Sequence, residues 1–418
     1  MLKNKLCAIS LSVLFTILLT SYLISNSNSE RILHFNAGMI DIGNSEKGIS
    51  QNDLGKAVPI EGNTEQLQFF FDAVKKAKSK TVHVAHYGDS MVWGDIISED
   101  LREIFQKQFG GKGIGFLSFS SDDVSVRQTV RQKYSSDWDF ATLFTRNDKR
   151  YEIGISGTAA VSKGSNWVEY DFTNERASSS SFSEFTVYSL NKKSSSKISY
   201  EISSGEKKYL TLPQSDGLSL VSEKLNHSTK KIKFSVGDSP DTYFYGINFE
   251  SGNGVYVDNF PIRGNSGVSL QDISENIYKQ FDAELNYKLI ILNFGVNAIG
   301  VNGLWYEKQM GKVIERLKRI FPETSILIVS TADRAIKKGS SFQTDEKIIE
   351  LVDIQKKIAL KNKVAFWNMY EAMGGKNSMV KWVDNSPSYG LKDYVHFTSL
   401  GGKRIAELLF EAMQNLMK

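Results

Sequence analysis

The sequence predicts an α/β protein. A parallel sheet covered by helices on both faces is interrupted by an antiparallel β-sandwich and preceded by an N-terminal membrane helix. Three observations carry this. Apolar runs of strand length alternate with amphipathic helical stretches towards both ends of the chain, as in parallel sheets. The middle of the chain switches to short runs that alternate every second residue. Near the N-terminus, Leu6 to Ile24 carries no charge.

That first stretch follows Lys3 and Lys5, and a bilayer core takes about 20 apolar residues as a helix. Tyr22-Leu23-Ile24-Ser25-Asn26 offers no clear cleavage site, so 1–25 reads as an anchor with its lysines on the cytoplasmic side. A cleaved signal peptide, and so a secreted protein, is the alternative. Either way the remainder is expected outside the cytoplasm, in the periplasm or cell envelope. Residues 26–65, rich in Ser, Asn and Gly, read as a linker.

Folding is predicted to begin near Gln66, where Leu67, Phe70, Phe71, Ala73, Val74 and Ala77 fall at helical spacing. A strand from Thr81 to Tyr87 and a helix from Ile96 to Phe109 follow, completing a first α/β part, 66–117. Ser90 sits at the turn between them, the edge where α/β proteins place ligands. Gly110-Gly111-Lys112-Gly113-Ile114-Gly115 reads as a helix C-cap and turn, because it follows a helix and lacks the Lys-Ser/Thr ending of a phosphate loop.

Residues 118–252 form the predicted insert, with strands at Trp167–Phe172, Phe185–Tyr188, Lys197–Ile202, Lys231–Val236 and Tyr243–Ile247. Serine runs at Ser178–Ser181 and Ser194–Ser196 read as loop tips. The aromatics of the insert read as core, with Trp167 or Tyr243 as candidates for a sugar-binding surface. The second α/β part, 253–418, alternates strand Leu289–Phe294, helix Trp305–Phe321, strand Ser325–Ser330, helix Glu346–Lys361, strand Val364–Trp367 and helix Lys403–Met417.

Composition narrows the function. The chain has 418 residues, 41% hydrophobic and 23% charged, with net charge +4 and no basic stripe interleaved with aromatics, so nucleic acid is not an expected partner. Its one cysteine, Cys7, excludes an intramolecular disulfide and a multi-cysteine metal site. His83 and His86 are separated by an odd number of strand positions, so they face opposite ways and do not share a metal. No metal or organic cofactor is expected.

Two motifs carry chemistry. His86-Tyr87-Gly88-Asp89-Ser90 supplies a hydroxyl, and Asp393-Tyr394-Val395-His396 supplies an imidazole with a carboxylate three residues upstream. A serine hydroxyl is a poor nucleophile until an imidazole takes its proton, and a carboxylate fixes the tautomer of that imidazole. Ser90, His396 and Asp393 are the candidate catalytic residues. Acyl transfer also needs oxyanion donors, each worth about 3–4 kcal/mol. Candidates are the N–H of Ser90, the N–H of Gly264 in Arg263-Gly264-Asn265-Ser266-Gly267, and the side chain of Asn297 after Gly295-Val296. Taken singly, Gly264 and Asn297 also read as a turn glycine and a strand-end asparagine.

Ser90, Gly264, Asn297 and His396, in this order, with Asp393 in a D-x-x-H block, resemble the motif residues of the SGNH (GDSL-type) hydrolases. Met91 replaces a common leucine, a conservative change. The resemblance spans roughly Val82–Phe116 and Val255–Phe410 and implies a three-layer α/β/α fold. Val364–Trp367, Ala372–Gly375 and Ser378–Trp382 are similar to a stretch in exported bacterial members that act on O-acetylated peptidoglycan. Such relatives can carry a carbohydrate-binding-like β domain in this position. The resemblance implies a serine esterase that removes O-acyl, above all O-acetyl, groups from a polymer such as peptidoglycan or another envelope polysaccharide. Transfer of the acyl group to a glycan hydroxyl and a silent glycan-binding scaffold are the alternatives.

Overall fold

The computed structural model describes residues 54–417 apart from 120–123, 125, 144–150 and 238–241. The expected membrane segment and most of the linker lie outside these residues. Among the described residues no helix is long and apolar enough to cross a membrane.

The central sheet holds five parallel strands: β2 (Val82–Gly88), β14 (Val255–Pro261), β15 (Tyr287–Asn293), β16 (Ser325–Val329) and β19 (Ala365–Trp367). Their spatial order is β14-β2-β15-β16-β19. Every residue of β2 is buried, as expected for a strand covered on both faces. From the C-terminal end of β2 the chain goes on to β14 on one side, and from that of the adjacent β15 it goes on to β16 on the other, so the connections leave these neighbouring strand ends in opposite directions. Open α/β sheets bind ligands at that switch point.

Helices cover both faces. One core packs α3 (Glu275–Leu285), α4 (Gly303–Ile320) and α5 (Glu346–Asn362) against Ala85, Tyr87, Ile290 and Ile328. The other packs α1 (Gln68–Val74), α2 (Ser98–Phe109), α6 (Met369–Ala372), α7 (Ser378–Asp384) and α8 (Ser399–Met417) against Val82, Val84, Ile291 and Leu327. Asn302 caps α4 by accepting from the Trp305 N–H at 3.0 Å, and Asp345 caps α5 by accepting from the Lys347 N–H at 3.2 Å.

Between β2 and β14 the chain builds β3 (Lys112–Leu117), β4 (Val130–Tyr134), β5 (Asp139–Thr142), β6 (Thr158–Val161), β7 (Trp167–Phe172), β8 (Phe182–Leu190), β9 (Ser196–Ile202), β10 (Lys207–Leu212), β11 (Ser219–Thr229), β12 (Lys231–Val236) and β13 (Tyr243–Ser251). They form two antiparallel sheets, β10-β9-β12-β7-β4 and β11-β8-β13-β6-β5, with β3 paired to β13. Their inward residues, among them Val168, Tyr170, Phe185, Phe234 and Phe249, make one shared core. A short hairpin of β17 (Ala335–Lys338) and β18 (Ser341–Thr344) follows β16.

Several sequence expectations are corrected. Gly110 does cap α2, at φ +91°, but the next residues enter β3 and join the sandwich instead of remaining in a turn with the first α/β part. The folded body already includes the end of the expected linker: Leu54 and Ile60 are buried, and β1 (Glu61–Gly62) pairs antiparallel with β19. Ser178–Ser181 is no free loop tip, because Ser178 donates to Glu103 of α2 through its N–H at 3.0 Å and through its hydroxyl, and Ser179 is buried. Ser194 and Ser195 are exposed, whereas Ser196 is the buried first residue of β9. The sandwich packs directly on the α/β body. Phe116 meets Phe260 at 5.6 Å between ring centroids, and Tyr188 meets Phe281 at 5.4 Å.

Candidate active site

The serine turn is built from buried backbone. β2 ends at Gly88, where an added Cβ would lie 2.6 Å from Val92 Cγ2 and 2.8 Å from the Asn293 carbonyl oxygen. Only glycine lets the turn fold back so closely. The next residue, Asp89, is fully buried. Its Oδ1 accepts from the Met91 N–H at 3.0 Å, and its Oδ2 accepts from the N–H groups of Gly295 (2.8 Å) and Val296 (3.0 Å). Burial pushes the Asp89 carboxyl up to about 6, against the opposing pull of those three N–H groups and of His396. Ser90 then opens a 3₁₀ turn, Ser90–Asp95, that leads into α2.

The histidine loop is held differently. Leu391 N–H donates to the His396 carbonyl at 2.8 Å, and Gly390 bridges Phe397. α8 begins three residues after His396. An added Cβ on Gly402 would come within 1.9 Å of the Ile96 carbonyl oxygen, so this helix rests backbone to backbone on the segment that follows Ser90. On the outer side, Tyr394 adopts φ +58° and stacks its ring on Phe342 at 3.7 Å and 9°. Its carbonyl accepts from the Ala335 N–H at 3.0 Å.

These supports bring the two motifs together. Ser90 Oγ–H donates to His396 Nε2 at 2.8 Å, and His396 Nδ1–H donates to Asp393 Oδ2 at 2.7 Å. Asp393 Oδ1 accepts from the N–H groups of Val395 (2.9 Å) and His396 (3.0 Å). Partial burial raises the Asp393 carboxyl, but the hydrogen bonds from His396 and Val395 outweigh it and hold the group below its ordinary value. A hydroxyl donating to an imidazole whose other nitrogen is held by a carboxylate is the arrangement that activates serine.

Gly264 and Asn297 lie on the loops that flank Ser90. Ile262 N–H donates to the Gly88 carbonyl at 2.7 Å, two residues before Gly264, which adopts φ +72°. Val296, tied to Asp89, immediately precedes Asn297. Asn297 Nδ2–H donates to the Asn265 carbonyl at 3.3 Å, joining the two loops, and the amide carries a second N–H that can serve another acceptor. A cavity of about 390 Å³ is lined by Gly264, Ser266, Ser269, Gln271, Asp272 and Asn297, among others.

His83 and His86 turn to opposite sides of β2. His83 Nδ1 pairs with Asp258 Oδ2 at 3.1 Å, while His86 Nδ1 pairs with Ser98 Oγ at 2.7 Å and burial pushes its imidazole down to about 4. Trp167 lies under the Lys233 ammonium at 4.6 Å, and Tyr243 stands edge-on to Tyr151 at 5.6 Å. Sequence reasoning missed two supports of the site. Asp89 stood inside the Gly-Asp-Ser motif, where its type alone was the signal. Phe342 lies more than fifty residues from Asp393 and carries no local signal.

A solved structure shares this architecture. The chain matches a peptidoglycan O-acetylesterase with TM-score 0.70 at 19% identity, over 86% of this chain and 99% of that one. An acetyl xylan esterase matches with TM-score 0.31 at 20% identity, over 38% of this chain and 81% of that one. A family two carbohydrate esterase from Clostridium thermocellum matches with TM-score 0.30 at 11% identity, over 67% of this chain and 98% of that one. Only the first score bears on the fold. No protein-family model and no curated protein matches the sequence. The fold is that of the first structure.

Proposed function

We propose that the protein is a serine esterase that removes O-acetyl groups from a carbohydrate polymer such as peptidoglycan. The observation that carries this reading is the unbroken hydrogen-bond chain from Ser90 through His396 to Asp393. Ser90 Oγ attacks the ester carbonyl as His396 Nε2 takes its proton. Asp393 holds the imidazole in the required tautomer and stabilises the imidazolium. The Ser90 and Gly264 N–H groups and the Asn297 amide receive the oxyanion. His396 returns the proton to the departing sugar hydroxyl, an acetyl-enzyme remains, and water activated by the same imidazole releases acetate.

The likeness to a peptidoglycan O-acetylesterase supports the choice of polymer. The uncharged stretch behind Lys3 and Lys5 supports action outside the cytoplasm, at the membrane surface. The test is to incubate the protein with O-acetylated peptidoglycan, with and without a sugar acceptor, and to analyse the products. Free acetate in both mixtures is the expected result. Acetyl-sugar formed at the expense of acetate would make the protein a transferase, and no release from any ester would remove the catalytic reading.

A further inference from the structure

Arg263 is an exposed cation beside the proposed site, and among the described residues no carboxylate pairs with it. Other arginines of the body behave differently: Arg102 grips Asp95, Arg176 grips Glu99 and Asp100, and Arg319 grips Glu275. The Arg263 guanidinium lies over the Trp93 ring at 3.7 Å. Trp93 follows Ser90 by three residues, and Arg263 lies between Gly264 and Ile262, whose N–H is bonded to the Gly88 carbonyl. The stack therefore joins the nucleophile turn to the oxyanion loop. A guanidinium already laid on an indole has surrendered much of its rotamer freedom, so holding an anion costs it little more.

Beyond Gly264 the character changes. Ser266, Ser269, Gln271 and Asp272 line the cavity, and Ser269 Oγ is buried with no hydrogen-bond partner among the described residues. These groups suit sugar hydroxyls, and Asp272 disfavours a carboxylate there.

We propose that Arg263 and this cavity form a subsite for a carboxylate-bearing glycan, with the carboxylate on the guanidinium and neutral hydroxyls in the cavity. This inference rests on the esterase reading, since it places the acylated sugar between the two. It names the substrate as an acidic polymer, whether the carboxylate belongs to the sugar or to a peptide attached to it.

The experiment compares wild type with Arg263→Gln on three kinds of ester. These are O-acetylated peptidoglycan fragments, with carboxylates on attached peptides; acetylated pectin oligomers, with carboxylates on the sugar; and neutral p-nitrophenyl acetate. Both polymers are also assayed with their carboxyls capped as methylamides. Arg263→Gln is expected to lower kcat/KM on one or both uncapped polymers about tenfold more than on the capped polymers and the neutral ester, with the excess in KM. The polymer that loses most identifies the carriers of the carboxylate. Equal loss on every ester would overturn the proposal and leave Arg263 as a brace for the Gly264 loop, and no loss on any would overturn it outright. Binding of the same fragments to Ser90→Ala, with and without Arg263→Gln, reads the subsite without turnover. Weaker binding of uncapped fragments alone supports it even if the protein hydrolyses none of these esters, while unchanged binding overturns it.

Discussion

The two loops that meet at the site are held by opposite means. On the serine side, Asp89 is fully buried and fixes the turn through three backbone N–H groups, two of them from the loop that carries Asn297. On the histidine side, Asp393 is exposed, His396 is partly exposed, and the loop leans on a ring stack between Tyr394 and Phe342. The proposed nucleophile and oxyanion donors thus share one frame, and a small misplacement there would cost transition-state stabilisation directly. In the proposed mechanism the histidine loop shifts a proton between two partners, for which a solvent-facing mount on a hairpin and the start of α8 is sufficient.

Loss of the proposed nucleophile should cost most. Ser90→Ala is expected to reduce acetate release by about 10⁴-fold or more with an unchanged thermal unfolding curve, since among the described residues the hydroxyl bonds only to the partly exposed His396. Unchanged release would place the nucleophile elsewhere. On the same frame, Asn297→Ala is expected to lower kcat about a hundredfold with little change in KM. A rise in KM alone would mean that Asn297 binds substrate without serving the oxyanion.

Asp89 sharpens the contrast through pH. Its folded value stands at about 6 against an ordinary 3.8, so the folded state keeps a proton that the unfolded chain releases. That contribution to stability is complete below the lower value and lost as pH rises through the upper one, a change of about 3 kcal/mol. Asp89→Asn removes it. The stability of wild type relative to the variant should therefore fall between pH 4 and pH 6.5, as read by denaturant unfolding. A pH-independent difference would show that Asp89 does not titrate in this range. The variant should also lose about tenfold in kcat, because an amide has one acceptor oxygen where the carboxylate has two, and its NH₂ must face either the Met91 N–H or those of Gly295 and Val296.

The smallest effect belongs to the exposed side. Phe342→Ala should lower kcat about three- to tenfold, leave stability nearly unchanged, and be corrected by Phe342→Tyr, which keeps the ring stack. A loss as large as that of Asn297→Ala would erase the distinction between a rigid and an adjustable mount.

The sequence alone determined whatever depends on neighbours along the chain. The strand, turn and helix around Ser90 were readable because period and turn chemistry are local, as were the Asp393–His396 spacing and strands such as Trp167–Phe172 and Lys231–Val236. Gly264 and Asn297 were singled out as oxyanion candidates by residue type, chain order and the resemblance to the SGNH motif. Tertiary structure decided which distant segments share hydrogen bonds. It drew Lys112–Leu117 into the sandwich, made β14 a partner of β2, and set Phe342 under Tyr394. It also gave Asp89 three donors, two of them more than two hundred residues away. A carboxylate's type is written in the sequence, but burial and partners arise only when remote backbone closes over it, and those set its protonation and its grip on the site.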